Sequence, residues 1–517
     1  MIHGKQTRES EMTEPKLPNI IYILADDMGY GDLSCLNAKA AFRTPNFDAM
    51  AAGGMAFHDA HSSSAVCTPS RYSILTGRYN FRSALQSGVT WGGSRPLIEA
   101  GRMTAASLLK SRGYQTACFG KWHLGWDWGL KKGSPIPTAL QEGVPTVELD
   151  CIDYALPIKG GPIDHGFETY FGIAASLDMP PYVYINQNLP TAAPDRVYSG
   201  AEGKEMARPG PQAPDFIHRE VLPLLTRKTL SYISEHARDA KPFFIYFPLP
   251  APHTPILPAP EFVGRSGTNA YGDFVLMCDD VVGRVNRCLE ENGIAENTLV
   301  IYTSDNGCSP MADFEELARF GHNPSHVFRG HKADIFEGGH RVPLLAKWPA
   351  QIPAGSVCTE TVCLVDFLAT VAEITEVNFP DDAGEDSVSE RALWRGGSPG
   401  SSHREATVHH SINGSFSIRR GPWKLEFCPD SGGWSAPKPD SPESDGLPPL
   451  QLYRLDDDIG ERRNRVAEEP GLVKELTALL LRYIREGRST PGAPQPNTGN
   501  LEPAVKKILE RSGMFEA

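Results

Sequence analysis

The sequence predicts an α/β fold: a large, mostly parallel sheet flanked by helices, followed by a smaller α+β domain with an antiparallel sheet. Three observations carry this. Through the first three-quarters of the chain, short β-branched apolar runs alternate with amphipathic helical patterns, the order that yields parallel strands. Polar clusters follow directly on the ends of those runs. Past residue 380 the alternation gives way to a Gly-, Ser- and acid-rich stretch and then to short alternating segments.

Residues 19–24 (Asn-Ile-Ile-Tyr-Ile-Leu) form a short apolar run, hence a buried strand. Thr44 and Pro45 suit the N-cap and first position of a helix. Cys67 opens another helix, with Pro69 in its first turn and Gly77 placed to end it. Residues 103–110 are helical and stop before Gly113, and residues 115–119 are a strand. An amphipathic helix over 221–236 precedes a buried strand over 243–247. From Phe274, apolar residues recur at Val275, Cys278, Val281, Val282, Val285 and Leu289, which is helical spacing, and 298–303 is a strand. Residues 381–402 read as a linker between a catalytic domain over 17–380 and a second domain over 403–517. In the latter, 416–427 reads as a hairpin broken at Gly421-Pro422, 451–455 as a strand and 472–485 as a periodic helix. A Pro/Ser/Gly-rich loop fills 428–449, and a last short helix lies near 505–509.

The chain has 517 residues, 40% hydrophobic and 22% charged, as in an ordinary globular protein. Its formal net charge of −13 argues against nucleic acid or an anionic membrane as partner. No apolar run is long enough to span a bilayer. Residues 1–16 lack the apolar stretch of a signal peptide, so the chain as given reads as cytoplasmic, or as periplasmic or secreted if an export signal was removed. None of the ten cysteines forms a Cys-x-x-Cys pair, which argues against zinc ribbons and thioredoxin-type chemistry. Cys278 and Cys288 read as core, and the spacing of Cys358 and Cys363 leaves a disulfide between them open.

Four polar clusters each follow a predicted strand: Asp26-Asp27, Lys121 with His123, His253, and Asp305-Asn306. In open parallel sheets, ligands bind outside the carboxyl ends of the strands, so one sheet would bring the four to one edge. Asp26, Asp27, Asp305 and Asn306 offer oxygen donors alone, a set suited to Ca²⁺ or Mg²⁺. Without a cation, three clustered carboxylates would repel one another. Arg71 lies one helical turn after Cys67 and shares its face. With Lys121, His123, His253 and Lys332 it forms a basic set able to hold charged oxygens. The Cys67 helix start adds an anion-favouring dipole.

The stretch Cys67-Thr68-Pro69-Ser70-Arg71, continuing to Leu75-Thr76-Gly77-Arg78, resembles the sulfatase signature. Further motifs are Ala25-Asp26-Asp27-Met28-Gly29-Tyr30-Gly31-Asp32, Gly120-Lys121-Trp122-His123-Leu124-Gly125, Asp164-His165-Gly166-Phe167 and Pro252-His253-Thr254-Pro255. They continue with Ser304-Asp305-Asn306-Gly307 and with Gly330-His331-Lys332-Ala333-Asp334-Ile335-Phe336-Glu337-Gly338-Gly339. In this order they resemble the formylglycine-dependent (type I) sulfatases and arylsulfatases of the alkaline phosphatase superfamily, from residue 19 to the region of 349. The resemblance implies that a formylglycine-generating enzyme oxidises Cys67 to formylglycine, whose hydrated aldehyde attacks sulfur. The second hydroxyl then expels sulfate, so that covalent catalysis proceeds in two easier steps. It implies Asp26, Asp27, Asp305 and Asn306 as calcium ligands beside the modified Cys67. It gives Arg71 and Lys121 as the groups that steady the aldehyde hydrate, and His123 as the residue that takes a proton when the aldehyde re-forms. His253 and Lys332 resemble the pair at the leaving oxygen and sulfate.

The implied substrate is a sulfated carbohydrate or another sulfate monoester. Loops around 91–95, 176–182 and 321–326 are placed to shape its pocket, with Asp178, His322 and Arg95 as candidate sugar contacts. Two rival readings stand beside this one: a phosphonate monoester or phosphodiester hydrolase using the same modified cysteine, and an unmodified, non-catalytic binder of sulfated glycans.

Overall fold

The computed structural model describes residues 16–135, 137–138, 140–397 and 404–514. Its centre is a ten-stranded sheet. In chain order the strands are β1 (Asn19–Ala25), β2 (Met55–Phe57), β3 (Gln115–Lys121), β4 (Thr169–Ile173), β5 (Ile185–Asn186), β6 (Leu189–Pro190), β7 (Phe243–Pro248), β8 (Thr298–Ser304), β9 (Leu344–Lys347) and β10 (Ser356–Cys358). In space they run β10-β2-β9-β8-β1-β7-β3-β4-β5-β6. The inner five, β8-β1-β7-β3-β4, are all parallel. Their apolar runs are buried nearly end to end, as strands covered on both faces must be. The edges depart from the expected parallel order: β9 lies antiparallel to β8 and β2, and the β5-β6 hairpin continues antiparallel from β4.

Helices α1 (Pro45–Ala52), α4 (Val221–His236) and α5 (Ala270–Glu291) pack together as one layer. Helices α2 (Cys67–Thr76), α3 (Ala105–Ser111) and α6 (Phe367–Thr375) pack together as another. Thr44 stands at the N-cap of α1, but its hydroxyl bonds Ser34 instead of the helix. The first turn is held by the Asp279 carboxylate of α5, which accepts from the backbone N–H groups of Asn46 and Phe47 at 3.2 and 2.8 Å. All ten cysteines are free, Cys358 and Cys363 included.

The C-terminal part is a four-stranded antiparallel sheet of β11 (Thr407–His410), β12 (Phe416–Arg420), β13 (Trp423–Glu426) and β14 (Gln451–Arg454), with helices α7 (Pro470–Glu486) and α8 (Glu502–Ser512). Its hairpin turns at Gly421-Pro422, as expected. The stretch expected to be a loop or linker is irregular over 381–390, but it is packed in part into the core. Asp386 is fully buried against Arg82 at 2.8 Å, and Glu385 meets Arg78 and Arg102 at 3.1 and 3.0 Å. Residues 398–403 lie outside the described residues, as do 1–15.

Candidate active site

Register places the polar clusters at one edge. Leu24 of β1 pairs with Pro248 of β7, and Ala25 with Ser304 of β8, so the three strands end together. β3 ends alongside them, two residues later than the sequence suggests, and carries Lys121 as its last residue. Asp26-Asp27, Asp305-Asn306, Lys121 and the His253 loop therefore meet outside the carboxyl ends. The Asp305 N–H donates to Ala25 O at 3.1 Å and the Asp26 N–H to Ala251 O at 3.0 Å, which ties the loops together. Asp27 and His123 take left-handed backbone, at φ +68° and +56°. This is conformational strain of the kind that collects at working sites.

α2 brings Cys67 to the same place. No side chain caps its N-terminus, so the dipole there stays uncompensated and favours an anion. Gly77 ends it in left-handed conformation. The Cys67 sulfur and carboxylate oxygens of Asp26 and Asp305 all lie within 4.8 Å of one another. One turn on, the buried Arg71 guanidinium donates to Asp305 at 2.7 and 3.0 Å and to the Lys121 carbonyl at 3.1 Å. Lys121 Nζ donates to Asp26 and to Ser176 Oγ, both at 2.7 Å. Lys332 Nζ sits 2.7 Å from Asp27, and His253 Nε2 lies 3.6 Å from the same carboxylate. Asn306 donates its amide to Asp27 at 2.8 Å.

Electrostatics divide these groups by role. Burial pushes the Cys67 thiol up, and Lys121 and Lys332 pull only part of that back, so the unmodified thiol is a poor nucleophile. Burial opposes charge on Asp26, yet Lys121, His253 and Arg71 hold it well below the carboxylate range. Asp305 goes the other way, pushed by burial up to about 6 against the pull of Arg71. Burial, then Lys121 and Arg71, holds His123 well below its ordinary value and so neutral. Its Nε2 bonds the Thr90 carbonyl at 2.7 Å and therefore carries the hydrogen, which leaves Nδ1 a buried, unpartnered lone pair.

The donor set fits a hard divalent cation. Asp26 Oδ1 and Asn306 Oδ1 are buried oxygens that accept no hydrogen bond, beside carboxylates of Asp27 and Asp305. Three carboxylates face three cations, Arg71, Lys121 and Lys332, so the cluster is close to neutral without an ion. A divalent ion would leave it positive, and this locally answers the repulsion that the net charge of −13 exerts on an anionic substrate.

The three candidate sugar contacts part company. Asp178 is buried, ion-paired to Arg208 and 3.9 Å from His253 Nδ1. His322 is turned into the core: Nε2 meets Asp32 at 2.8 Å and Nδ1 accepts from the Ala41 N–H at 3.3 Å, so neither ring nitrogen is left for a sugar. Arg95 is half-exposed and paired with Asp127 at 2.6 Å, outside the web of contacts that joins the others. Sequence reasoning missed Thr90, Ser176 as partner of Lys121, and Arg208. Thr90 binds the two halves of the site, since its hydroxyl donates to the His123 carbonyl at 3.0 Å while its N–H donates to Thr68 Oγ1 beside Cys67 at 3.1 Å.

Comparison with known proteins places this arrangement. The sulfatase family model matches residues 18–377. An N-acetylgalactosamine-6-O-sulfatase of Bacteroides thetaiotaomicron is 31% identical over 504 residues, covering 90% of this chain and 92% of the relative. Human arylsulfatase A is 32% identical over 480 residues, covering 90% and 86%. A Bacteroides thetaiotaomicron sulfatase structure, solved in work on glycosaminoglycan metabolism, superposes with a TM-score of 0.77 at 29% identity over 90% of this chain and 99% of that one. The phosphonate monoester hydrolase of Agrobacterium radiobacter shares the fold, with a TM-score of 0.57 at 18% identity over 93% and 100%. The family match and the two full-length relatives together decide the chemistry: the chain belongs to the sulfatase family and is a sulfuric ester hydrolase.

Proposed function

We propose that this sulfatase hydrolyses sulfate monoesters of a sulfated carbohydrate, with Cys67 converted to formylglycine and a calcium ion held by Asp26, Asp27, Asp305 and Asn306. The observation that carries the reading is the Cys67 sulfur clustered with Asp26 and Asp305 at an uncapped helix start. A bound calcium would offset charge on the sulfuryl oxygens, and the formylglycine hydrate would supply the attacking hydroxyl that a buried thiol does not. Magnesium suits the same oxygen donors.

The chain's own residues do the rest. Arg71 and Lys121 anchor the oxygens at residue 67 and hold Asp26 ionised. Lys332 is free to exchange Asp27 for a sulfate oxygen by a charge-assisted hydrogen bond. His253 donates Nδ1–H to the Thr254 carbonyl at 2.7 Å, so in the imidazolium form Nε2–H is the proton left for the departing oxygen, and the neutral ring remains. His123, neutral and bare at Nδ1, accepts the proton released when the aldehyde re-forms. Asp178 keeps Oδ1 buried and without a hydrogen bond, 3.9 Å from His253 Nδ1, on the side of the ring away from the nitrogen that serves the departing oxygen.

The substrate class rests on the relatives, whose names include an N-acetylgalactosamine-6-O-sulfatase. A maturing enzyme is the partner the modification requires. The test is Cys67→Ala, with mass spectrometry of the wild-type peptide that contains residue 67. The expected result is an aldehyde mass in the wild type and an activity loss on the order of 10³-fold or more in the variant, with an unchanged circular dichroism spectrum. An unmodified thiol in fully active protein, or near-wild-type turnover by the variant, overturns the mechanism. Parallel assays on an aryl sulfate and an aryl phosphonate separate this reading from a phosphonate hydrolase.

A further inference from the structure

The motif over 25–32 holds three acids, and the chemistry above uses two of them, Asp26 and Asp27. The third, Asp32, is fully buried. Its task shows in the backbone of Asp27, which lies at φ +68°, a left-handed conformation that residues with a Cβ avoid. Such a conformation persists only where the surroundings over-determine it. Here three successive backbone N–H groups do so, and each goes to a side chain. The Asp27 N–H donates to Asp305 Oδ1 at 3.3 Å, the Met28 N–H to Ser304 Oγ at 2.9 Å and the Gly29 N–H to Asp32 Oδ2 at 2.8 Å. Asp305 is one of the four oxygen donors assigned to calcium. Ser304 and Asp32 are not.

Ser304, the last residue of β8, joins the two halves of the donor set. Its hydroxyl accepts from Met28 and donates to the Asn306 carbonyl at 2.9 Å. It thus ties the Asp26-Asp27 loop to the Asp305-Asn306 loop through one buried atom. Asp32 is fixed in turn by two other parts of the fold. Tyr271 of α5 donates its hydroxyl to Asp32 Oδ2 at 2.5 Å, and the same hydroxyl lies 3.2 Å from the Asp27 carbonyl. His322 accepts the Ala41 N–H at Nδ1, so it carries its hydrogen on Nε2 and donates it to Asp32 Oδ1 at 2.8 Å. The turn between has no slack: a Cβ at Gly29 would run into the Pro324 carbonyl, and one at Gly31 into the Asn323 carbonyl. Released from these bonds, Asp27 would relax to ordinary backbone and draw its carboxylate away from the Asn306 amide and Lys332, which it meets at 2.8 and 2.7 Å.

We propose that Ser304 and Asp32 are positioning residues for the metal: they hold Asp27 in its left-handed conformation, and so set the spacing of the oxygens around calcium, while touching neither the ion nor the substrate. The proposal rests on the calcium reading above and deepens it. It also gives Tyr271 and His322 their place, as the donors that fix Asp32.

The experiment measures calcium affinity of the chelator-treated protein by titration calorimetry at neutral pH, with the melting temperature and kcat at rising calcium alongside. The proteins are wild type, Ser304→Ala, Asp32→Asn and Tyr271→Phe. Asp273→Asn is the control, because Asp273 also sits on α5 but holds the backbone of Gly264 and Ser266 instead of the site. Ser304→Ala and Asp32→Asn should weaken calcium about tenfold or more, the usual effect of losing a partner that orients a metal ligand, and Tyr271→Phe should weaken it less. Excess calcium should restore most of the lost kcat, since no reacting group has been removed. Asp273→Asn should melt lower with its calcium affinity unchanged. If Ser304→Ala and Asp32→Asn do not fold, Tyr271→Phe, which removes one hydroxyl, decides alone. Variants that melt lower yet bind calcium like the wild type, an equal affinity loss in the control, or activity that excess calcium does not restore overturns the positioning role while the calcium reading stands. A wild type that binds neither calcium nor magnesium overturns both.

Discussion

Asp305 carries the sharpest consequence at the scale of single residues. Burial raises its carboxyl to about 6, above the ordinary carboxylate value, although Arg71 lies against it. A carboxyl raised in the folded state favours the metal-free protein at low pH. That contribution is lost as pH rises from the ordinary carboxylate range through about 6. A divalent cation needs the ionised form and so competes with the proton. Calcium affinity, followed by calorimetry, is therefore expected to be flat between about pH 7 and 8 and to fall by up to tenfold per unit below about 6, the limit for one displaced proton. Equal affinity at about pH 5 and about pH 7 would show that Asp305 holds no proton. Asp26, held well below the carboxylate range, adds no second step. Asp26, Asp27, Asp305 and Asn306 were legible in the sequence because each follows the end of a strand, and sheet topology does the gathering. Thr90 and Arg208 were not, because their partners His123 and Asp178 lie 33 and 30 residues away across loops with no periodic pattern. His322 misled for the same reason, since nothing in its loop discloses that Asp32 claims its Nε2.

At the scale of elements, α2 is the lever that holds Cys67 in place, and its far end is tightly specified. Gly77 closes the helix at φ +65°, donating its N–H to Ser73 O at 2.9 Å. A Cβ there would lie 2.8 Å from a Leu368 methyl and 3.0 Å from Gly384 Cα. Gly101 has a similar φ of +80° but open space around it. Gly101→Ala should thus cost about the left-handed penalty alone, ~1–2 kcal/mol. Gly77→Ala adds a steric term of about 1–3 kcal/mol and shifts α2, lowering both thermal stability and kcat/KM. Equal melting points for the two variants would mean that the α2–α6 contact gives way freely. The central strands and long helices were read from sequence to within a few residues because buried runs and helical periodicity are local signals. The antiparallel edges were not, since β5 and β6 are two residues each and owe their existence to pairing. The irregular course over 381–390 was legible as a loop, but its packing was not, because Asp386 is buried by Arg82, 304 residues earlier.

For the whole molecule, the question is whether the catalytic α/β part and the C-terminal sheet, expected as separate domains over 17–380 and 403–517, unfold separately. Their contact joins an apolar cluster, in which Tyr79, Phe81 and Val365 pack with Val408, Phe416 and Ile418, to a buried ion network. Lys424 of β13 is fully buried and reaches Glu461 at 2.7 Å and Glu426 at 3.2 Å on its own side, and Glu337 at 3.2 Å across the joint. Arg419 of β12 crosses to Asp59 at 2.6 Å. His61, between them, bonds Asp59 through Nε2 at 2.7 Å and His340 through Nδ1 at 3.0 Å. Six residues after His61 comes Cys67, and the intervening segment is itself pinned to β11, where the Ala65 N–H donates to His410 O at 3.0 Å. A buried ion network of this kind does little for net stability when complete but is costly to break, because the partners left behind stay charged and dry. Lys424→Met removes one cation from among three buried glutamates. It is expected to destabilise the protein by about 3–5 kcal/mol and to lower activity through the segment that leads to Cys67. In calorimetry the wild type should unfold in one transition covering both parts, since neither can leave without stranding charges on the other. Two resolved transitions, or a Lys424→Met variant that melts like the wild type, would make the joint a passive contact and the C-terminal sheet an independent unit. If a single transition is lost together with activity, the C-terminal sheet belongs to the apparatus that positions Cys67.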